Sequence, residues 1–267
     1  MLAADVGSKP LLELFIKQGV SFESCTTYGR TALHFAVIAS QRSAAEKLLD
    51  AGSKIEVPDM DGFRPLHLAS LHSDERMIEL LLRRGADIDA LTGKRQTNTD
   101  KVLSTALHIA SHRGNDKIAR LLLKAGADPN KSNGWGDTAV HLAAEPNLLE
   151  AISRDIIMSQ KRARKMVELL VESGADINVL GAKGSTALHT ACAFQRYELT
   201  KLLLANGADP NIADDEGELP IDALEDGESY SAFLKTLGVK LSHEEKHQLE
   251  KEKRLMKNLL LEFGSHK

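Results

Sequence analysis

The sequence has 267 residues, of which 42% are hydrophobic and 27% are charged, a balance typical of a folded protein and not of a disordered one. Its formal net charge of -4 provides no long-range field for a polyanion, so nucleic acid is not expected as a partner. The longest apolar runs, such as 80–82 and 259–261, are too short to cross a bilayer, and membrane insertion is not expected.

Cysteine usage and the first residues bear on the cellular compartment. Cys25 and Cys192 lie far apart in the sequence and form neither a disulfide framework nor a cluster of metal ligands. Residues 1–10 lack the basic segment and the long apolar stretch of a secretory signal. We therefore expect an intracellular protein of the cytoplasm or the nucleus.

A four-residue motif and a series of glycines recur along the chain. The motif has the form Thr-Ala-Leu-His, with small variations, and its copies are Thr31–His34, Arg64–His67, Thr105–His108, Thr138–His141 and Thr186–His189. The glycines follow apolar stretches and are Gly19, Gly52, Gly85, Gly126, Gly174 and Gly207. Uninterrupted steps in both series are 33 residues long. Such a period indicates stacked units, because one unit cannot bury its apolar stripe alone.

This period and the Thr-x-Leu-His signature resemble the ankyrin repeat over roughly residues 1–240. The resemblance implies a mainly α solenoid of stacked helix-turn-helix units with β-hairpin-like loops. Each first helix is predicted to begin at the alanine or proline of the motif. Each second helix is predicted to end before the glycine, because the residue that follows a helix often needs a positive φ.

We predict about seven units in chain order. Their ranges are 1–25, 26–58, 59–99, 100–132, 133–180, 181–213 and 214–240. The first unit lacks a preceding hairpin and is predicted to be truncated, so its exposed leucines imply a longer protein, an unusual cap or a partner. These leucines are Leu2, Leu11, Leu12 and Leu14. The last unit has Asp222 where histidine is expected and is predicted to be a degenerate capping repeat.

Residues 241–267 are predicted to form an amphipathic C-terminal helix. Ser242–Glu245 has a capping-box pattern, and apolar residues recur at steps of seven, four and three from Leu249. Packing on the last repeat and a short coiled-coil contact are the two alternatives for its apolar side.

Two insertions interrupt the period. The first lengthens a hairpin around residues 92–99, either as a finger that reaches a partner or as a tolerated surface loop. The second follows Glu145–Pro146, near 146–160, and is predicted to extend the second helix of the fifth unit toward its N-terminus. Its basic cluster, Lys161–Lys165, fits a solvated helix face better than a nuclear signal or an anion patch.

The motif histidines are the first candidates for metal or proton chemistry. They recur once per layer, at a spacing of about 10 Å, which is too far apart to share a zinc ion. The resemblance implies that each ring bonds backbone groups of the adjoining hairpin. The sequence contains no phosphate loop, nucleophile elbow or Cys-x-x-Cys pair. We therefore predict no metal, no cofactor and no catalytic residue, and the protein is not expected to be an enzyme.

Hairpin tips and the exposed ends of first helices are left free by the motif and are predicted to form a concave binding face. The predicted partner-binding residues are Tyr28, Arg30, Met60, Phe63, Leu71, His72, His112, Arg113, Trp135, Asp137, Lys183 and Phe194. The chain has only eleven aromatic residues, and four of them lie at these positions. Because interfaces are enriched in aromatic side chains, this placement favours a partner surface over packing between hairpins.

The sequence therefore predicts a monomeric, non-catalytic scaffold or adaptor that binds a protein and no small-molecule substrate. An alternative is the targeting portion of a larger enzyme or secreted effector whose catalytic domain lies outside this chain. The resemblance also raises the hypothesis that hairpin asparagines are hydroxylated, as in some ankyrin proteins, but hydrogen bonding within the hairpins is the favoured explanation for them. These asparagines are Asn130, Asn178 and Asn211.

Overall fold

The computed structural model describes residues 1–93, 103–146, 156–226 and 243–264. Within these ranges the chain forms helices joined by turns and hairpin-like loops, and no β-strand occurs among the described residues. Most of the predicted loop at 92–99 and the first part of the insertion near 146–160 lie outside them.

The helices come in pairs that repeat along the chain. The first helices of the pairs are α1 (Leu2–Asp5), α3 (Ala32–Ile38), α5 (Pro65–Leu71), α7 (Ala106–His112), α9 (Ala139–Ala144), α11 (Ala187–Ala193) and α13 (Pro220–Asp226). The second helices are α2 (Lys9–Lys17), α4 (Arg42–Asp50), α6 (Glu75–Arg83), α8 (Asp116–Lys124), α10 (Ile156–Glu172) and α12 (Tyr197–Ala205). A 3-10 turn lies at Ala182–Gly184, and α14 (His243–Glu262) follows the repeats.

The predicted helix boundaries are confirmed. Every first helix after α1 begins at the alanine or proline of the motif, and proline suits this position because its missing N–H has no intrahelical partner there. Gly85, which follows α6, has φ +86°, and a Cβ there would meet nothing within 4 Å. The glycine is therefore required by the left-handed backbone and not by a lack of space.

The chain divides into two compact units, residues 1–110 with 117–128, and residues 111–116 with 129–267. In the first unit, α1, α3 and α5 pack in succession, and α2, α4 and α6 follow the same order. In the second unit, α9, α11 and α13 pack in succession, and α10 packs on α12. Fully buried leucines such as Leu48 and Leu203 occupy equivalent positions of the second helices, and each stabilises the fold by about 2–3 kcal/mol.

The C-terminal helix α14 covers the last repeats of the second unit. It packs on α12 and α13, and its Met256 and Leu260 side chains are fully buried. Packing on the last repeat is therefore the alternative that the structure shows. The predicted domain boundary at residue 240 falls outside the described residues.

The two insertions are joined to the adjoining repeats in different ways. At the base of the first, Thr92 N donates to Ser104 O at 2.9 Å, and Ser104 N donates to Thr92 Oγ1 at 3.0 Å. The second leads into α10, which has 17 residues where α12 has nine. The predicted extension of this helix toward its N-terminus is confirmed.

A series of side-chain to backbone hydrogen bonds joins the loops that follow successive second helices. In the first unit, Glu23 accepts from Lys54 N at 3.0 Å, and Glu56 accepts from Asp87 N at 3.0 Å. In the second unit the same position is asparagine, and its amide bonds two groups. Asn178 Oδ1 accepts from Asp209 N at 2.9 Å, while its Nδ2 donates to Gly207 O at 3.0 Å. Asparagine thus joins neighbouring repeats through a donor and an acceptor, whereas glutamate can only accept.

We expect Asn178→Ala to lower the free energy of unfolding by about 1–2 kcal/mol, because two inter-repeat hydrogen bonds are lost. Asn211→Ala is the matched control, since among the described residues the Asn211 side chain bonds Asp209 of its own loop and no neighbouring repeat. Its effect should stay within about 0.5 kcal/mol. Urea unfolding followed by circular dichroism measures both variants, and equal losses would contradict an inter-repeat role for Asn178.

Candidate partner-binding surface

The motif histidines join each first helix to the hairpin of the next repeat. Thr31 N donates to His34 Nδ1 at 3.1 Å, so this nitrogen is an acceptor and the ring proton sits on Nε2. Nε2 then donates to Phe63 O at 3.3 Å. The corresponding acceptors in later repeats are Ala90 O at 2.9 Å from His67, Ser185 O at 3.1 Å from His141, and Glu218 O at 3.1 Å from His189. Each histidine ring therefore bonds a different hairpin.

Burial keeps these histidines neutral. It lowers the pKa of His34, His141 and His189, and it lowers the pKa of His67 to about 4. A second ring proton on Nδ1 would also oppose the N–H that Nδ1 accepts from. Among the described residues, no three His, Cys, Asp or Glu side chains are grouped to hold a metal ion.

Two repeats depart from the motif, and the replacing side chains still form hydrogen bonds to the backbone. Arg64 replaces threonine, and its side chain donates to the backbone oxygens of Leu91 and Glu56. The weaker layer that this replacement implies stays a prediction. In the last repeat Asp222 Oδ2 accepts from Leu219 N at 3.0 Å, which is the bond that Nδ1 of a motif histidine makes elsewhere.

Hairpin tips of neighbouring repeats are hydrogen-bonded to one another. In the first unit, Met60 N donates to Tyr28 O at 2.9 Å. In the second unit, Ala182 N donates to Asp137 Oδ1 at 2.8 Å, and Asp215 N donates to Lys183 O at 2.9 Å. These bonds hold the tips in place, so the side chains on the tips project from fixed positions.

In the first unit, the predicted residues differ in exposure. Tyr28 is 70% exposed and Met60 is 45% exposed, and His72 is also exposed. Arg30 is half-buried and its Nε lies 3.2 Å from Asp59 Oδ2. Phe63 is half-buried and packs edge-on against the His67 ring, with the centroids 6.4 Å apart. Leu71 is half-buried at the end of α5.

In the second unit, Trp135 is 54% exposed on its tip, and Lys183, His112 and Arg113 are exposed. Phe194 is half-buried just after α11. Asp137 is buried and its carboxylate is bonded to the next tip. Leu180, an exposed leucine beside the tip at Gly181, was not among the predicted residues.

The fifth repeat ends its first helix differently from the others. Glu145 precedes Pro146 and has an extended backbone (φ -75°, ψ 146°), because proline disfavours a helical residue before it. The carbonyls at the end of α9 therefore lack the tight turn that follows α3 or α5. Arg196, only 5% exposed, replaces that turn: its Nη1 donates to the oxygens of Ala143, Ala144 and Glu145 at 3.3, 3.0 and 2.9 Å.

This arrangement places a carboxyl with an altered pKa on the helix-end surface. Glu145 Oε2 lies 3.7 Å from His112 Nδ1, and both side chains are partly exposed. Burial, and secondly the charge of Asp137, raise the pKa of Glu145 to about 7. The sequence alone did not reveal Arg196 or this pKa, since Arg196 lies 51 residues from Glu145.

Models of ankyrin repeats match residues 1–92 (three copies), 105–147, 135–182 and 169–223. The chain belongs to the ankyrin-repeat family. Ankyrin repeats are generally modules for protein–protein interaction. None of the described helices is both long and apolar enough to span a membrane.

Curated relatives match parts of this ankyrin-repeat chain. They include an ankyrin repeat protein of fowlpox virus, 35% identical over 33% of this chain and 27% of its own length. Inversin of Danio rerio is 38% identical over 32% of this chain and 8% of its own length. Neurogenic locus notch homolog protein 1 of Mus musculus is 40% identical over 28% of this chain and 3% of its own length. The chain thus spans at most 27% of these relatives.

Solved ankyrin-repeat domains match far more of the chain. The ankyrin repeat domain of Bcl-3, a member of the IkappaB protein family, has a TM-score of 0.66 and 26% identity, covering 87% of this chain and 96% of that domain. The human ASB11 ankyrin repeat domain has a TM-score of 0.64 and covers 87% of this chain and 94% of that domain. Because the two are only 22% identical, this likeness shows the fold alone. The predicted ankyrin solenoid is therefore confirmed.

The neutral histidines make stability depend on pH. Because the folded state lowers their pKa, the unfolded chain binds more protons between the ordinary value of 6.5 and, for His67, about 4. Their contribution is complete above pH 6.5 and is lost as the pH falls through this window. Within this window, we expect each histidine to lower the free energy of unfolding by up to about 1.4 kcal/mol for each unit that the pH falls.

Urea midpoints between neutral and acid pH measure this slope. His72→Gln should leave the free energy of unfolding at neutral pH within about 0.5 kcal/mol of the wild type, because His72 is exposed at a helix end. His67→Leu should lower stability at neutral pH but show a shallower slope in acid. A midpoint that does not change on acidification would contradict the neutral-histidine network.

We expect Arg196→Met to lower the free energy of unfolding by about 2–4 kcal/mol, because it leaves buried helix-end carbonyls without a donor. Arg113→Met is the control, since Arg113 is exposed and its replacement should cost within about 0.5 kcal/mol. Urea unfolding measures the loss, and hydrogen exchange should show faster exchange in α9 of the Arg196 variant. Equal stability of the two variants would contradict the capping role.

Proposed function

We propose that this chain is a non-catalytic scaffold or adaptor that binds a protein partner through its hairpin tips and first-helix ends. One observation supports this most directly: Tyr28, Met60 and Trp135 stay exposed although the tips that carry them are hydrogen-bonded to neighbouring tips. Large apolar side chains held in water on a rigid frame are suited to binding. Their fixed positions also reduce the entropy that ordering them on association would otherwise cost.

The first unit offers a compact apolar contact. Tyr28 and Met60 lie on adjacent tips, and between them a Cβ at Gly29 would approach Met60 N to 2.8 Å. Glycine therefore allows the two tips to meet closely. Tyr28, Met60, Phe63, Leu71 and His72 are the proposed contacts on this unit, while Arg30 positions its tip through Asp59.

The second unit offers a more cationic contact. Trp135 is its proposed anchor, since aromatic residues dominate binding energy at many interfaces. Lys183, His112 and Arg113 supply exposed nitrogen donors on the same unit, and Phe194 adds apolar area. Asp137 acts by holding the neighbouring tip through Ala182 N, so its proposed role is positioning.

The proposed partner is a protein and not a nucleic acid, a substrate or a membrane. The net charge of -4 supports this choice, because polyanion binding depends on many cationic contacts. The cytoplasm or the nucleus is the proposed compartment. It suits Cys25 and Cys192, which are both free thiols.

The test is quantitative capture by the full chain from its source cells, with crosslinking and mass spectrometry. Tyr28→Ala and Trp135→Ala should each reduce capture of a genuine partner by about tenfold or more, since an aromatic anchor contributes about 2 kcal/mol. Both melting temperatures should stay close to that of the wild type, because both side chains are exposed. Leu255→Ala, on α14, is the control for lost surface apolarity. Unchanged capture by both aromatic variants would place the binding site elsewhere.

A further inference from the structure

The tip of the sixth repeat, residues 181–184, is built differently from the tips of the second, third, fifth and seventh repeats. In those four tips, the first residue has a side-chain oxygen that accepts from the N–H groups two and four positions later. The distances lie between 2.8 and 3.3 Å, and the accepting residues are Thr26, Asp59, Asn133 and Asp214. The sixth-repeat tip begins with Gly181 and has no such side chain.

Neighbouring groups occupy the space that a side chain at Gly181 would need. A Cβ there would lie 2.4 Å from Asp137 Oδ1 and 2.9 Å from His141 Nε2. The Asp137 carboxylate accepts instead from Ala182 N at 2.8 Å. The next N–H, that of Lys183, is left without an acceptor among the residues that the structure describes. Lys183 also has a φ of 56°, in the left-handed region that residues other than glycine rarely adopt.

The side chain of Lys183 supplies a second donor at the same place. Lys183 is exposed, and no carboxylate of the described part of the chain forms an ion pair with its ammonium. Hydrogen bonds between an ammonium and a carboxylate are about twice as strong as those between neutral groups. One residue therefore offers a backbone donor and a charged donor, which suit the two oxygens of a carboxylate.

Large apolar side chains flank these donors. The fifth-repeat tip, residues 133–136, lies against the sixth-repeat tip, because a Cβ at Gly136 would be 3.5 Å from the carbonyl carbon of Gly181. Trp135, directly before Gly136, is 54% exposed, and Leu180, directly before Gly181, is 53% exposed. A ligand that lies over the two tips would therefore meet an aromatic ring and an aliphatic side chain as well as the two donors.

We propose that the fifth- and sixth-repeat tips bind a segment of a protein partner that has an aspartate or glutamate beside a large apolar residue. The carboxylate of the segment accepts from the N–H and the ammonium of Lys183, and the apolar residue contacts Trp135 and Leu180. The partner thus supplies the oxygen acceptor that the other tips carry in their own first residue. This inference rests on the proposed function, since it gives the chemistry of the partner at the contact of the second unit.

Other charges of the second unit act on such a carboxylate in both directions. Arg113, which is exposed directly after α7, adds a positive charge to the unit. Asp215 adds a negative charge close by, because a Cβ at Gly184 would lie 2.5 Å from Asp215 Oδ1. The Asp215 carboxylate weakens the binding of an acidic segment and would strengthen the binding of a basic one. The sign of its effect therefore identifies the charge of the partner.

A random dodecapeptide library displayed on phage and selected on the full chain provides the probe. We expect the enriched peptides to share an aspartate or glutamate next to a large apolar residue. A fluorescent synthetic copy of the most enriched peptide then gives dissociation constants by fluorescence anisotropy.

Three variants of the chain test the contact with this peptide. Lys183→Asn should weaken binding by about tenfold, since asparagine tolerates the left-handed backbone but has no ammonium. Asp215→Asn should tighten binding by about threefold, because it removes a nearby negative charge. Lys201→Gln is the control, since Lys201 is exposed on α12 and lies outside both tips, and it should bind like the wild type. Circular dichroism checks that each variant keeps its helix content.

A change in the peptide tests the same contact without altering the chain. Replacement of its acidic residue by the corresponding amide should weaken binding by about tenfold, and Lys183→Asn should then have little further effect, because both changes remove one interaction. Enriched peptides without an acidic residue, equal binding by the wild type and Lys183→Asn, or weaker binding by Asp215→Asn would each overturn the inference. A wild type that enriches no peptide would also overturn it, whereas the proposed function would still be decided by capture from the source cells.

Discussion

In four repeats, a neutral, buried histidine (His34, His67, His141 or His189) bonds two parts of the structure that the backbone alone would leave independent. Its Nδ1 accepts from the N–H that precedes the first helix, and its Nε2 donates to a carbonyl in the next hairpin, as in the bond from His141 to Ser185 O. Both bonds require the singly protonated ring. The helix before each of these hairpins therefore fixes the position of the hairpin and of the side chains on its tip.

The fifth repeat shows how the scaffold accepts a large local change. Pro146 prevents the usual turn after α9, and the chain leaves the repeat in an extended conformation. The carbonyls that this change exposes are bonded by Arg196 from the following repeat. A charged guanidinium is suited to this role because it has five donors, and the partial negative charge at a helix C-terminus favours a cation. Glu145, whose carbonyl is one of these acceptors, also has its Oε2 atom 3.7 Å from His112 Nδ1.

Stability and recognition use different residues of the same repeat. His141, Thr138 and Gly174 satisfy backbone groups or permit turns, and their requirements are the same in other repeats. Trp135 and Tyr28 meet no such requirement, since their exposed side chains have no role in these backbone bonds. Surface residues can therefore vary between repeats without loss of the fold, which is the physical basis for the proposed binding role.

The sequence by itself determined the repeat period, the starts of the first helices and the glycines that end the second helices. These features depend on local rules, such as proline at the first helical position or positive φ at Gly85, and local rules are visible in residue types. It also identified which aromatic side chains lie on the tips, because the period fixes their place in each unit. Only the tertiary structure decided that Asp137 is bonded to a neighbouring tip and that Arg196 caps α9. These facts depend on contacts between residues distant in sequence, and the residue type at one position does not specify what lies against it.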